Sequence, residues 1–201
     1  MHDNTSRAAP GPWACLAIGL ALAALALWPA PREALDWRPD LAMTQPWRLW
    51  TAALVHLSPF HLQANLLGCA VVATFGVVAG LPRHATWAWL AAWPLTHAAL
   101  GLQPELASYS GLSGLLHAGV AVATVQLIWE GTRRERLIGL AVLAGLSVKL
   151  ILEGAWPGLP RAAAGWDMPI APLAHLTGAA AGLLCGAGAR WLVVQRREIA
   201  T

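Results

Sequence analysis

Residues 111–129 read GLSGLLHAGVAVATVQLIW and contain no Lys, Arg, Asp or Glu. The run is close to the roughly 20 apolar residues that a helix needs to cross a bilayer. It nevertheless places a hydroxyl and an imidazole one helical turn apart, at Ser113 and His117. In hydrocarbon, such polar side chains require a partner or a water-filled cavity. The run therefore predicts a membrane helix that also carries a functional site.

The composition of the whole chain is that of a membrane protein. Hydrophobic residues make up 57% of it and charged residues only 11%, whereas a soluble domain is roughly a quarter charged. The charge-poor runs predict a single all-α domain, residues 1–201, with six transmembrane helices at about 13–30, 59–81, 85–102, 111–129, 137–152 and 169–189. Residues 31–57 are charged and rich in tryptophan, so we expect this loop to lie in the outer headgroup region.

Local signals define two of these spans. Ser58 followed by Pro59 is typical of a helix N-cap with proline at the first helical position, so we expect the second helix to begin at Pro59. The fifth predicted span contains Lys149, whose ammonium we expect to extend from the helix end to the lipid headgroups.

The basic residues predict the orientation in the membrane. Eight of them fall on the side of the N-terminus and five on the other side, which favours a cytoplasmic location for both termini. Since these residues lie at span edges, we expect the lipid bilayer and no nucleic acid as a partner. The three cysteines lie within spans and form no motif, so we expect no disulfide, no metal site and no cofactor.

Polar and small residues within the spans form three groups: His61 with Asn65; Gly111, Ser113, Gly114 and His117; and His175, followed by Gly178, Gly182 and Gly186. His61 and Asn65 are four residues apart and share one helix face. A glycine every four residues allows another helix to approach closely. We expect this stripe to bring His175 against Ser113.

The three groups supply complementary parts of a serine hydrolase. Ser113 would be the nucleophile and His175 the base that activates it. His61 and Asn65 would donate hydrogen bonds to an oxyanion, near the free N–H groups at the start of the fourth helix. Each group alone also has a structural interpretation, because serine bonds back to a carbonyl, histidine links helices and glycine serves packing.

These residues resemble those of the rhomboid intramembrane serine proteases, from about Trp47 to Gly186. The resemblance rests on motifs that occur in the expected order: Trp47-Arg48; His56, His61 and Asn65; Gly111-Leu112-Ser113-Gly114; and Ala174-His175 with Gly178 and Gly182. It implies a six-helix rhomboid core and a Ser113/His175 dyad. It also implies an oxyanion hole formed by His61, Asn65 and the backbone amide of Ser113.

His117 stands where many rhomboids carry a tyrosine that stacks on the catalytic histidine. The stretch GLSGLLHAG is more similar to the rhombosortase branch of compact bacterial rhomboids. That resemblance implies a bacterial inner-membrane location and single-span substrates with a C-terminal Gly-Gly-type anchor. Two roles for His117 remain open: it packs against His175, or it hydrogen-bonds to and tunes that histidine.

We expect no carboxylate beside His175. The spans contain none, since charge at membrane depth is costly. Asp167 lies eight residues earlier, roughly 12 Å along a helix at 1.5 Å per residue. Packing would then orient the imidazole. Hydrolysis also needs water, so Ser113 should open into a polar cavity on the non-cytoplasmic side.

Two other functions fit parts of the pattern. A rhomboid-like protein without activity would bind membrane helices without cutting them, although that class usually lacks the serine or the histidine. A metal or proton carrier could use the histidines, but the chain has no H-E-x-x-H motif and no acidic residue within a span. Labelling of Ser113 by a fluorophosphonate distinguishes a protease from both.

Overall fold

The computed structural model describes residues 11–156 and 158–199. Within these residues the protein is all-helical, with seven α-helices and no strand. The helices are α1 (Pro12–Ala26), α2 (Arg48–Thr51), α3 (Pro59–Val78), α4 (Arg83–Ala98), α5 (Ser113–Glu130), α6 (Arg133–Leu152) and α7 (Pro172–Ile199).

The six longer helices coincide with the six predicted spans, with shifted ends. The side chain of Ser58 accepts a hydrogen bond from the His61 N–H at 3.1 Å, which confirms the predicted start of α3. Helix α6 begins earlier than the predicted 137–152, because Thr132 and Glu135 form a capping box around its first turn. Helix α7 begins later than predicted, at Pro172, and continues to Ile199.

Two of the helices are long and apolar enough to cross a membrane by length and composition. They are Pro59–Val78 and the segment Pro172–Arg196, and Pro12–Ala26 is a shorter apolar helix. Helix α4 has only 16 residues, and helix α6 begins with four charged residues and contains Lys149.

Helix α5 is the central element, and α7 packs along it at very short distance. A Cβ atom built at Gly178 would lie 1.9 Å from the carbonyl oxygen of Gly114, and one at Gly182 would lie 2.3 Å from that of Ala118. No side chain larger than hydrogen fits either position without separating the helices. The close approach predicted from the glycine stripe is therefore present, and it brings the first turns of α5 and α7 together.

The loop before α3 is folded by a buried ion pair. Arg48 donates to the Asp36 carboxylate at 2.9 Å, and both side chains are almost fully buried. Next to this pair, Trp37 forms two backbone hydrogen bonds with Tyr109, at 2.9 and 3.0 Å. These bonds fix the segment that leads into α5, and they place Tyr109 beside the start of that helix.

Candidate active site

Ser113 and His175 meet where α5 and α7 begin. Ser113 is the first residue of α5, and His175 lies in the first turn of α7. The Oγ atom of Ser113 is 3.1 Å from Nε2 of His175, within the range typical of an activated nucleophile and its base. The arrangement predicted for these two residues is present in the structure.

A carboxylate lies on the other side of the imidazole. Nδ1 of His175 is 2.8 Å from Oε2 of Glu153, the residue that directly follows α6. Our expectation that no carboxylate reaches His175 was therefore wrong. Glu153 is outside the apolar run, so it avoids the cost of charge at membrane depth. Asp167, the acid considered from sequence, instead accepts a hydrogen bond from the Ser58 hydroxyl at 2.8 Å.

Lys149 pairs with the second oxygen of the same carboxylate. Its Nζ atom is 2.6 Å from Oε1 of Glu153, and its side chain is 45% exposed. Burial alone would raise the pKa of the Glu153 carboxyl, but hydrogen bonds from His175 and Lys149, and the electrostatic attraction to these two side chains, lower it to about 2. The ammonium that we expected at the headgroups thus has a protein partner, and Glu153 is a carboxylate at neutral pH.

His117 lies flat against His175. The two ring centroids are 4.2 Å apart and the planes differ by 14°. Nδ1 of His117 is 2.6 Å from the carbonyl oxygen of Ser113, so it carries a proton and donates to that oxygen. Of the two roles left open by the sequence, the structure shows packing: the hydrogen bond of His117 goes to its own helix and its ring face to His175.

His61 presents a defined nitrogen to the same region. The backbone N–H of Leu57 donates to Nδ1 of His61 at 3.3 Å, so in the neutral ring the proton is on Nε2. A Cβ atom at Gly111 would lie 2.6 Å from this Nε2 atom. Gly111 also has φ +118°, a conformation that residues with a side chain rarely adopt. Glycine at this position is thus required twice, by the backbone and by the approach of His61.

Asn65 lies one turn further along α3. One N–H of its amide donates to the His61 carbonyl at 3.1 Å, and an amide group has a second N–H. Asn65, His61, Ser113 and His175 all line one cavity of about 1100 Å³. The structure therefore brings the predicted oxyanion donors and the Ser113/His175 pair to a common space.

Tyr109 is a residue of the site that sequence reasoning missed. Its hydroxyl donates to the Gly111 carbonyl at 2.8 Å, accepts from the Gly114 N–H at 3.2 Å, and lies 3.3 Å from Oγ of Ser113. It is the only tyrosine in the chain and stands just before the Gly111 motif. The presence of a single tyrosine beside this motif was the signal in the sequence. The contacts of Tyr109, however, depend on its backbone pairing with Trp37, which is distant in the chain.

In the part of the chain that the structure describes, no three or more His, Cys, Asp or Glu side chains are arranged to hold a metal ion. His56 and His61 are neighbours, with ring centroids 4.9 Å apart.

The fold and the site define a helical protein with a serine–histidine pair at a helix–helix junction. Residues 43–191, most of the chain, match the family model of the Rhomboid domain. The chain therefore belongs to the rhomboid family. No curated protein matches it.

Family membership determines the function at a coarse level. Rhomboids are intramembrane serine proteases, together with homologues that lack activity, and they act on membrane proteins within the bilayer. The Rhomboid domain and the apolar helices together indicate an integral membrane protein. The rhomboid resemblance of the sequence is thus confirmed for the family.

Proposed function

We propose that this chain is an active intramembrane serine endopeptidase in which Ser113 is the nucleophile and His175 the general base. The observation that carries the proposal is the 3.1 Å contact between Ser113 Oγ and His175 Nε2 at the wall of an open cavity. A purely structural serine at a helix start has no need of a histidine from another helix, with its Nε2 atom aimed at the hydroxyl.

In this mechanism, Ser113 Oγ attacks the carbonyl carbon of the scissile peptide bond while its proton passes to Nε2 of His175. The carbonyl oxygen becomes an oxyanion, and N–H groups of His61, Asn65 and the Ser113 backbone donate to it. The imidazolium then protonates the leaving amine, which departs and leaves an acyl-enzyme. A water molecule, deprotonated by His175, hydrolyses this ester and restores Ser113.

We further propose six membrane spans with both termini in the cytoplasm, so that α1 crosses outwards and successive long helices alternate. In this topology the starts of α3, α5 and α7 and the end of α6 all lie on the outer side. The side chains of the site come from these four ends. This placement supports the topology, because hydrolysis requires water, which enters at the membrane surface and not from hydrocarbon.

The substrate proposed for this site is a single-span protein whose helix unwinds easily near the outer surface. A peptide bond within a stable helix is inaccessible, and glycine weakens a helix by roughly 1 kcal/mol relative to alanine. Glycine also allows a backbone to approach Ser113 closely. The resemblance of GLSGLLHAG to the rhombosortases supports a C-terminal Gly-Gly-type anchor as the target in a bacterial inner membrane.

The proposal is tested by cleavage of a candidate anchored protein by the purified enzyme in proteoliposomes. We expect cleavage by wild type, none by Ser113→Ala, and a strong reduction when the substrate glycines are replaced by leucine. Equal cleavage of both substrates would contradict the unwinding argument and the Gly-Gly specificity. Absence of any dependence on Ser113 would contradict the protease assignment itself.

The family also contains inactive homologues that bind membrane helices, and this is the competing function. Such a protein would bind the same anchored substrate but would leave it intact. Pull-down of the substrate by wild type, with no cleavage in any lipid composition tested, would favour that alternative. The carrier function considered from the histidine content has no support from the family.

A further inference from the structure

We propose that Glu153 is a positioning residue that converts the Ser113/His175 pair into a triad. The inference rests on the proposed protease function, since it assigns a role within that reaction. A glutamate that directly follows α6 would hold the imidazole in the orientation and protonation state that catalysis requires, as the third member of a serine-protease triad does.

Each carboxylate oxygen of Glu153 has its own partner, one an imidazole and the other an ammonium group. Oε2 lies 2.8 Å from Nδ1 of His175, and Oε1 lies 2.6 Å from Nζ of Lys149. Because both oxygens are engaged, the carboxylate is fixed in rotation as well as in position. Its side chain is 20% exposed and that of His175 only 10%, so bulk water competes weakly for the contact.

The same contact selects the tautomer of His175. If Nδ1 carries the proton, it donates to Glu153, and Nε2 accepts from the Ser113 hydroxyl. If Nδ1 lacks the proton, it could accept from Lys149, but Nζ lies 3.4 Å away, much further than the carboxylate oxygen. The shorter contact therefore favours the Nδ1–H form, in which Nε2 is free to act as the base.

A carboxylate is not the residue expected at this position on helix grounds alone. The C-terminal end of a helix carries partial negative charge and favours cations, not anions. Glu153 is nevertheless the C-cap of α6, and Lys149 offsets the repulsion from one turn earlier. The carboxylate gains a further role during the reaction, when His175 takes the serine proton and becomes positively charged next to it.

A structural alternative makes a different prediction. Glu153 could simply join the end of α6 to the start of α7, in which case its loss would lower thermal stability without changing how His175 handles protons. The ion pair between Glu130 and Arg190, 3.0 Å apart, joins α5 to α7 in the same way. Glu130 is 29% exposed and far along α5 from Ser113, so Glu130→Gln is a matched control.

The first experiment compares Glu153→Gln, Glu153→Asp and Glu130→Gln with wild type in the cleavage assay. Glutamine keeps the size of the side chain but can present an N–H to Nδ1 and so favour the wrong tautomer. We expect kcat to fall on the order of 100-fold for Glu153→Gln, with KM little changed and partial recovery in Glu153→Asp. Glu130→Gln should retain wild-type turnover.

The pH profile separates positioning from mere support. The other titratable groups around His175 are Lys149, His117 and His61. Glu153→Gln keeps all three, but it also leaves the Lys149 ammonium, 3.4 Å from Nδ1 of His175, without its carboxylate partner. Without the carboxylate to stabilise the imidazolium, the acidic limb of kcat/KM in Glu153→Gln should move to lower pH. The proposal would be overturned if the acidic limb of Glu153→Gln did not move. It would also be overturned if Glu153→Gln kept as much turnover as Glu130→Gln.

Nitrogen-15 NMR of histidine-labelled protein tests the tautomer without requiring activity. His175 is assigned from the signal that disappears in His175→Ala. We expect the proton on Nδ1 in wild type and a shift towards Nε2 in Glu153→Gln. If His175 carries the proton on Nδ1 in a wild-type protein that cleaves nothing, the result contradicts the protease function but supports the role of Glu153. If His175 carries the proton on Nε2 in an active enzyme, only the role of Glu153 is overturned.

Discussion

Replacing Gly178 with alanine tests whether the close approach of α5 and α7 sets the geometry of the active site. The added Cβ would lie 1.9 Å from the Gly114 carbonyl oxygen, whereas ordinary contact begins at 3.4 Å. The helices must therefore separate by about 1.5 Å near this position, at a cost of about 1–3 kcal/mol for overpacking. His175 lies less than one turn from Gly178 on the same helix, so it moves with it.

The catalytic consequence follows from the distance between nucleophile and base. Ser113 Oγ and His175 Nε2 are 3.1 Å apart, and a further displacement of this size removes the hydrogen bond. A misplacement of about 1 Å commonly costs on the order of 100-fold in rate. We therefore expect Gly178→Ala to lose at least that much turnover while remaining folded in detergent.

The assay is the initial rate of substrate cleavage, with thermal unfolding measured on the same samples. Gly188→Ala is the matched control, since it lies on the same helix and a Cβ there would meet nothing within 4 Å. It should keep wild-type turnover. Wild-type turnover in Gly178→Ala as well would show that the helix contact does not position His175, and the reasoning would fail.

Three further predictions concern the side chains themselves. Ser113→Ala and His175→Ala should each abolish cleavage, and the double variant should be no slower than either in turnover assays, because nucleophile and base act as a unit; an additive loss would contradict the pairing. His61→Ala or Asn65→Ala should reduce kcat on the order of 100-fold to 1000-fold with little change in KM, and an unchanged kcat would remove that residue from the oxyanion hole. The pKa of Glu153 is lowered in the folded state from 4.5 to about 2, so its stabilising contribution is present above pH 4.5 and lost as the pH falls towards 2. The difference in melting temperature between wild type and Glu153→Gln should accordingly shrink over that range, and a constant difference would show that the carboxylate charge is not responsible.

The long helices and the serine–histidine pair could be predicted from sequence because their signals are local. Charge-poor runs indicated the six long helices, and the Ser58 cap marked the start of α3 correctly. The spacing of Gly178 and Gly182 indicated a close helix contact, and the structure has it at both positions. Periodicity and capping depend on neighbouring residues, which a single sequence displays directly.

Glu153 and Tyr109 could not be placed in the same way. The contact of Glu153 with His175 depends on where α6 ends relative to the first turn of α7, and these segments are separated by a loop without regular periodicity. Tyr109 reaches Ser113 because its backbone pairs with Trp37, far away in the chain. Such positions are decided by tertiary packing. The cost of charge in membranes excludes carboxylates from the spans, but Glu153 lies just beyond the end of α6.

The central claim, that Ser113 is a nucleophile activated by His175, is tested most directly by covalent labelling. The purified protein is treated with a fluorophosphonate, digested, and analysed by mass spectrometry to locate the adduct. The account predicts a single adduct on Ser113 in wild type, none in Ser113→Ala, and a greatly slowed reaction in His175→Ala. Folded wild-type protein that remains unlabelled at Ser113, or that labels equally fast without His175, would contradict it.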